Sequence, residues 1–223
     1  MFNYVLLRLV QASERVRSEG LAQVAHDLVH FERQAVPVEK DLRGMEAEPR
    51  PAWTEDGTFA EVTEELLDNA EVVYPFQNRR RKARYYLGKG WGGYALLKGR
   101  TVLGDIWYAP VPQDTSSPCH PDVSWLGIRP EGKSVYTFDM FIDPEERGNN
   151  TAFGLQRATL QDLRTKGFEK AYGFYWADNI PALWMHRSLR WKPLARRRSD
   201  RFFFYRRSRP AADRPARSTS RTS

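Results

Sequence analysis

The segment from Ser134 to Leu189 constrains the fold of this chain more than any other stretch. It opens with Ser134 to Ile142, a run of aromatic and β-branched residues suited to a pleated surface, and this predicts a strand. A polar turn follows, Asp143-Pro-Glu-Glu-Arg-Gly-Asn-Asn150. From Thr151 to Lys166 the apolar positions Ala152, Phe153, Leu155, Leu160 and Leu163 fall on one broad face, which predicts a helix closed by Gly167 in the C′ position. Lys170 to Ala177 reads as a second strand and Asn179 to Leu189 as a second helix, with Asn179 as N-cap and Pro181 in its first turn. Strand, helix, strand and helix of these lengths form a βαβα unit, in which a crossover helix packs on a sheet.

The flanking sequence extends that sheet. Residues 1–28 carry apolar residues at roughly helical spacing, and Gly20 divides them into two short helices. Val29 to Val38 reads as extended, 39–57 as a linker, Phe59 to Leu67 as a helix with a Phe59, Val62, Leu66 stripe, and Asn78 to Leu87 as a strongly basic helix. Gly92 to Leu97 and Thr101 to Tyr108 flank Lys98-Gly99-Arg100 as a hairpin. The proline-containing stretch 109–131 reads as a long loop, and Asp200 to Tyr205 as the last strand. The expected fold class is α/β, with a central hairpin meander and crossover helices.

Composition narrows the setting. With 41% hydrophobic residues the chain can bury a real core. Its single cysteine, Cys119, excludes an internal disulfide framework and a cysteine-based zinc cluster, and it fits a reducing cytoplasm. Phe2 to Val10 is apolar but short and broken by Arg8, so no membrane span is expected. The net charge of +7 gathers in Arg79 to Lys82, in Arg196 to Arg198 and in the tail from Arg206 to Ser223. That tail combines Arg, Pro, Ala and Ser without apolar period and reads as disordered. The charge suits nucleic acid, anionic lipid or a polyphosphorylated ligand, although for Arg79 to Lys82 a solvated basic helix face is the default reading.

Few residues offer chemistry on their own. The turn at 143–150 runs into the first turn of a helix, whose unpaired N–H groups and positive dipole end suit a phosphate; it reads equally as an Asx-type turn joining strand to helix. His186 shares a helix face with Ala182 and Leu189, either as a group that exchanges a proton near neutral pH or as a half-buried histidine. Asp139 is the carboxylate on the strand Ser134 to Ile142, and alternation alone leaves its facing open. His26 and His30 are four apart with no third ligand nearby, so no metal site is expected. Cys119-His120 has no evident nucleophile context, and Trp91 to Tyr94 reads as core at the start of a strand.

Taken together, the two segments resemble the GNAT N-acetyltransferases, which transfer an acyl group from acyl-CoA, usually to an amine. Ile142, Pro144, Arg147, Gly148 and Ala152 match the run V-x-P-x-x-R-G-x-G-x-G/A that ends a strand in that family, and Asn150 stands at its second glycine. Asparagine tolerates the left-handed backbone better than other non-glycine residues. Asn179, Ala182 and His186 match the family's Asn, Ala and Tyr-or-His spacing, with Arg190-Trp191 in place of Gly-Phe. The resemblance is specific over 134–191 and follows element order over 29–206. It implies a mixed central sheet flanked by helices in a domain of residues 29–206, preceded by a helical extension of residues 1–28 and followed by a disordered basic tail of residues 207–223.

The implied activity is acetyl transfer from acetyl-CoA to an amine acceptor by direct attack in a ternary complex. The implied donor contacts are Phe141, Ile142, Arg147, Gly148, Asn149, Asn150, Thr151, Ala152 and Asn179. The strand Ser134 to Ile142 is expected to splay from Lys170 to Ala177, and a backbone N–H near Phe141 or Ile142 to polarise the thioester carbonyl. His186 would protonate the departing sulfur, and Asp139 would take the amine proton. A second reading keeps the fold without the chemistry: a binding module for an anionic partner such as nucleic acid, reached through the basic tail.

Overall fold

A computed structural model describes residues 31–45, 57–112, 119–202 and 205–211. The helices expected over 1–28, the His26 and His30 pair, the central part of the 39–57 linker and the tail beyond residue 211 lie outside the described residues.

Strand β1 spans Phe31–Asp41, β2 Gly57–Glu61, β3 Gly92–Lys98, β4 Thr101–Val111, β5 Ser134–Ile142 and β6 Lys170–Trp176. The short β7 is Lys192–Pro193, and β8, Arg197–Phe202, pairs with β9, Tyr205–Pro210. Helix α1 covers Glu64–Asp68, α2 Gln77–Leu87, α3 Pro121–Leu126, α4 Thr151–Thr165 and α5 Ile180–Ser188. The described strands form one sheet of nine in the order β2-β3-β4-β5-β6-β1-β8-β9, with β7 also on β1. Neighbouring strands run antiparallel except β5 and β6, which run parallel across the α4 crossover. The fold is α/β, a mixed central sheet flanked by helices.

Strand alternation divides the core into two layers. On one face Ala95, Leu97, Trp107, Ala109, Tyr136 and Tyr172 pack against Leu67 of α1, Ala83 and Tyr86 of α2, and Val123 and Leu126 of α3. On the other, Tyr94, Leu96, Ile106, Val135, Ala171 and Tyr175 pack against Leu155, Leu160 and Leu163 of α4 and Leu189 after α5. The i, i+5 and i+8 spacing of the three α4 leucines keeps them on one stripe, and each is fully buried.

Three sequence expectations are corrected. Phe59 to Leu67 is not one helix: Gly57–Glu61 pairs along β3, where Phe59 stacks on Tyr94 at 4.9 Å, and only Glu64–Asp68 is helical. Thr63 separates the two, its side chain accepting the Leu66 N–H. The loop 109–131 is shorter than read, because β4 continues to Val111 and α3 starts at a His120 cap. The last strand is a hairpin rather than Asp200 to Tyr205, and β9 carries pairing past residue 206 to Pro210, inside the segment read as a disordered tail.

Candidate functional site

The sheet opens between β5 and β6. They pair in parallel only at Ser134–Lys170, Val135–Ala171 and Tyr136–Tyr172. The last link is the Thr137 hydroxyl, which donates to the Tyr172 carbonyl at 3.1 Å. Gly173 permits that close approach, since a Cβ there would lie 3.2 Å from Thr137 Oγ1. Beyond it β6 pairs with β1 as far as Ala35–Trp176, while β5 stays with β4. The expected splay is present.

The edge that β5 offers to this opening follows from its register. Asp143 donates its N–H to the Leu103 carbonyl at 2.7 Å, so alternation puts Phe141 in the next bonded pair with Asp105 and turns the N–H and carbonyl of Ile142 away from β4. That outward carbonyl accepts a hydrogen bond from Arg147 Nε at 3.2 Å. Of the two positions expected to supply a backbone N–H, Ile142 has the right direction.

At the mouth the chain turns through Pro144–Glu146 and reaches α4. Gly148 has φ 92° and Asn150 φ 59°, both left-handed, so the glycine position of the motif is filled by an asparagine in the conformation glycine would adopt. Asn150 is the N-cap residue of α4 but its side chain makes no capping hydrogen bond. The first N–H groups of α4, beyond the reach of any helix carbonyl, therefore point out of the helix end without a side-chain cap. Arg147, Asn149 and Asn150 are exposed, Thr151 is buried, and Ala152 is half-buried.

Asn179 behaves differently. Its Oδ1 accepts the Ala182 N–H at 3.1 Å, which closes the N-terminus of α5. Of the expected donor contacts, Asn179 is thus a helix cap with its acceptor committed. Two turns on, His186 is buried against Tyr175 and Trp191, ring centroids at 5.1 and 5.3 Å. His186 Nδ1 lies 2.7 Å from the Ala182 carbonyl, an acceptor only, so Nδ1 carries the proton and Nε2 of the neutral ring carries the lone pair. Burial pushes its pKa below the usual histidine value, against the opposing pull of that carbonyl.

Asp139 sits on the opposite layer, facing α2. Between Phe138–Trp107 and Phe141–Asp105, β5 spends two residues where β4 spends one, a β-bulge, and Asp139 within it has φ 49°. Its carboxylate accepts from Arg79 Nη1 at 3.1 Å and Tyr86 Oη at 2.9 Å, and pairs with Lys82 Nζ at 2.7 Å. Its carbonyl accepts from Arg79 Nη2 at 3.1 Å. Burial alone would raise the carboxyl, but the charges of Arg79 and Lys82 with the Lys82 and Tyr86 hydrogen bonds outweigh it, and the pKa falls below the ordinary aspartate value. A carboxylate so held is a poor proton acceptor.

Arg79 itself contradicts the solvated-face reading of the basic helix. It is 8% exposed and bonds Asp105 as well as Asp139, with Nε 3.2 Å from Asp105 Oδ2 and Nη2 on Oδ1. Trp107 Nε1 donates to Asp105 Oδ1 at 3.0 Å. Burial pushes the Asp105 carboxyl up, opposed by Arg79. The signal was available in phase: Arg79, Ala83 and Tyr86 are i, i+4 and i+7 on α2, so the arginine lies on the apolar stripe. Asp105 and Asp139 are each the one charged residue inside an apolar strand. A cation on a buried stripe and two anions on adjacent buried strands predict one another.

Among the described residues no group of three or more His, Cys, Asp or Glu is arranged to hold a metal, and no helix is long and apolar enough to cross a membrane. A groove of about 330 Å³ is lined by Lys40, Met45, Phe153, Arg157, Leu189 and Arg190.

No protein-family profile matches the sequence, and no curated protein matches it. Solved structures do match in shape. The GCN5-related glucosamine N-acetyltransferase region of a fungal multi-domain β-N-acetylglucosaminidase superposes with a TM-score of 0.55 at 16% identity, over 79% of this chain and 22% of that one. A tandem GNAT protein from the clavulanic acid biosynthesis pathway superposes with a TM-score of 0.50 at 15% identity, over 78% of this chain and 55% of that one. This chain thus spans about a fifth of the first structure and just over half of the second. Strand order, the parting of β5 from β6, the left-handed turn before α4 and these superpositions agree: the chain has the fold of the GNAT N-acetyltransferases.

Proposed function

We propose that this protein is an acyl-CoA-dependent N-acyltransferase that transfers an acetyl group from acetyl-CoA to an amine. One observation carries the reading: the uncapped, left-handed turn Gly148–Asn150 opens at the mouth of the gap where β5 leaves β6. A gap of this kind accepts an extended pantetheine chain as it would an added strand. The turn and the first turn of α4, with backbone N–H groups of Gly148 to Ala152, would hold a pyrophosphate, and exposed Arg147 adds charge beside it. The donor supplies an activated thioester; the rest of the chemistry falls to the chain.

Ile142 N–H faces the gap and would bond the thioester carbonyl, withdrawing electrons from the carbon under attack. Asp139 is not the base in this reading, because Arg79, Lys82 and Tyr86 hold its lone pairs and stabilise its charge. The acceptor amine therefore enters in its neutral form, and the proton it sheds as the C–N bond forms and the C–S bond breaks is taken up by the departing thiolate. His186, neutral at pH 7 with its proton on Nδ1, has no proton to give at Nε2; it orients α5 against Tyr175 and Trp191 instead of acting as the acid.

An assay of acetyl-CoA with a panel of amines, following release of the free thiol, tests the reading. Amine-dependent release is expected, with kcat/KM rising with pH up to the pKa of the amine. A plateau near the histidine value would instead assign a base to the protein. Acetyl-CoA binding with no release for any amine would favour the catalytically inactive binding module.

A further inference from the structure

We infer that Arg79 is a positioning residue that fixes the edge of β5 facing the gap, by clamping the bulge at Asp139 to β4. The inference rests on the acyltransferase reading above. The hydrogen bonds of one guanidinium cross the point where the strand register breaks. Nε and Nη2 hold Asp105 on β4, Nη1 holds the Asp139 carboxylate at 3.1 Å, and Nη2 also holds the Asp139 carbonyl at 3.1 Å. The Cζ of the same group lies over the Phe141 ring, 4.9 Å from its centroid. Arg79 thus touches the side chain and main chain of the bulged residue and the ring two residues on, and the next residue is Ile142.

The geometry needs such a clamp. A bulge lets a strand choose its exit direction, and the left-handed Asp139 is a conformation that the backbone does not favour by itself. Without an external tie, β5 beyond Phe138 would relax toward regular pairing with β4, which would shift every later N–H by one position and rotate Ile142 N–H off the gap. A lysine at position 79 would keep the charge but could not fork across two aspartates and a carbonyl. Arg79 is buried with its guanidinium committed to Asp105 and Asp139, so in this reading its effect passes through the Ile142 N–H.

The test compares acetyl-CoA with S-ethyl-CoA, a thioether that lacks only the carbonyl oxygen, in wild type, Arg79→Lys and Asp139→Asn. Asparagine at 139 keeps the left-handed tolerance and removes the charge, so it decides the matter if Arg79→Lys does not fold. Wild type should prefer acetyl-CoA about tenfold, the size of one hydrogen bond, and should lower the carbonyl stretch of bound 13C-acetyl-CoA. The folded variants should bind S-ethyl-CoA as wild type does, while losing both the preference and the shift. An unchanged preference and shift in a folded variant overturns the clamp. Failure of wild type to bind either compound overturns the acyl-CoA reading itself, and with it this inference.

Discussion

Asp139 and Asn150 are both non-glycine residues with left-handed backbone, at φ 49° and 59°, eleven positions apart on the two sides of one strand end. Their surroundings are opposite. Asp139 is locked by Arg79, Lys82 and Tyr86 within the sheet, while Asn150 is exposed and its side chain caps nothing. The contrast separates two uses of an unfavourable conformation. At Asp139 side chains hold the backbone so that the strand edge keeps one direction. At Asn150 the surroundings are open and the side chain caps nothing, which in the proposed reading leaves the N–H groups of the turn to the donor. Another asparagine, Asn179, shows what the Asn150 position would look like if closed, since its side chain occupies the Ala182 N–H.

Glycine at each position would break the comparison in opposite directions. Asp139→Gly relieves the positive φ yet removes the carboxylate that meets two cations, and the folded state should lose about 1–3 kcal/mol, read as a lower urea midpoint. An unchanged midpoint would mean that the clamp contributes nothing. Asn150→Gly should change stability by no more than about 0.5 kcal/mol, because it exchanges a tolerated left-handed residue for a freer one. Affinity for acetyl-CoA should hold or rise, and a large fall would give the Asn150 side chain a direct role.

Acid sharpens the same contrast between locked and open groups. His186 has a folded pKa below its unfolded value, so its contribution is complete above about pH 6.5 and is lost as pH falls through the lower folded value. Asp139 follows the same sign in a lower window, complete above about pH 3.9 and lost below it. The melting temperature should therefore drop between pH 7 and 5, by less in His186→Phe than in wild type, and no such decline should trace to the exposed turn. Equal slopes in the two proteins would remove His186 from the account.

Much of this is legible in the sequence. The strand–turn–helix at 134–166, the helix started by Asn179 and the hairpin around Gly99 were legible because period and caps agree locally. Phe59 reads as helical because its spacing to Val62 and Leu66 mimics a helix, whereas pairing with β3 decides the matter. The insertion of β1 between β6 and β8 is a long-range pairing that no local pattern carries. The turn motif is visible as residues; the Asx turn is present at its start, where Glu145 N–H donates to Asp143 Oδ1 at 3.0 Å, and the left-handed backbone of Gly148 and Asn150 is what the sequence alone leaves open. The charged clamp is hidden in the basic run Arg79 to Lys82 and becomes legible only when Arg79 is grouped with Ala83 and Tyr86, whose face it shares.

The most direct measurement is calorimetric titration of acetyl-CoA into wild type and Gly148→Val. Gly148 has φ 92°, which strains any side chain, and nothing lies within 4 Å of a Cβ there, so valine disturbs the turn and the space above it and not the core. Saturable binding that weakens at high salt and falls at least about tenfold in a folded Gly148→Val protein is the predicted result. Binding indifferent to Gly148→Val, or none in wild type, would contradict the assignment of this turn to the donor phosphates.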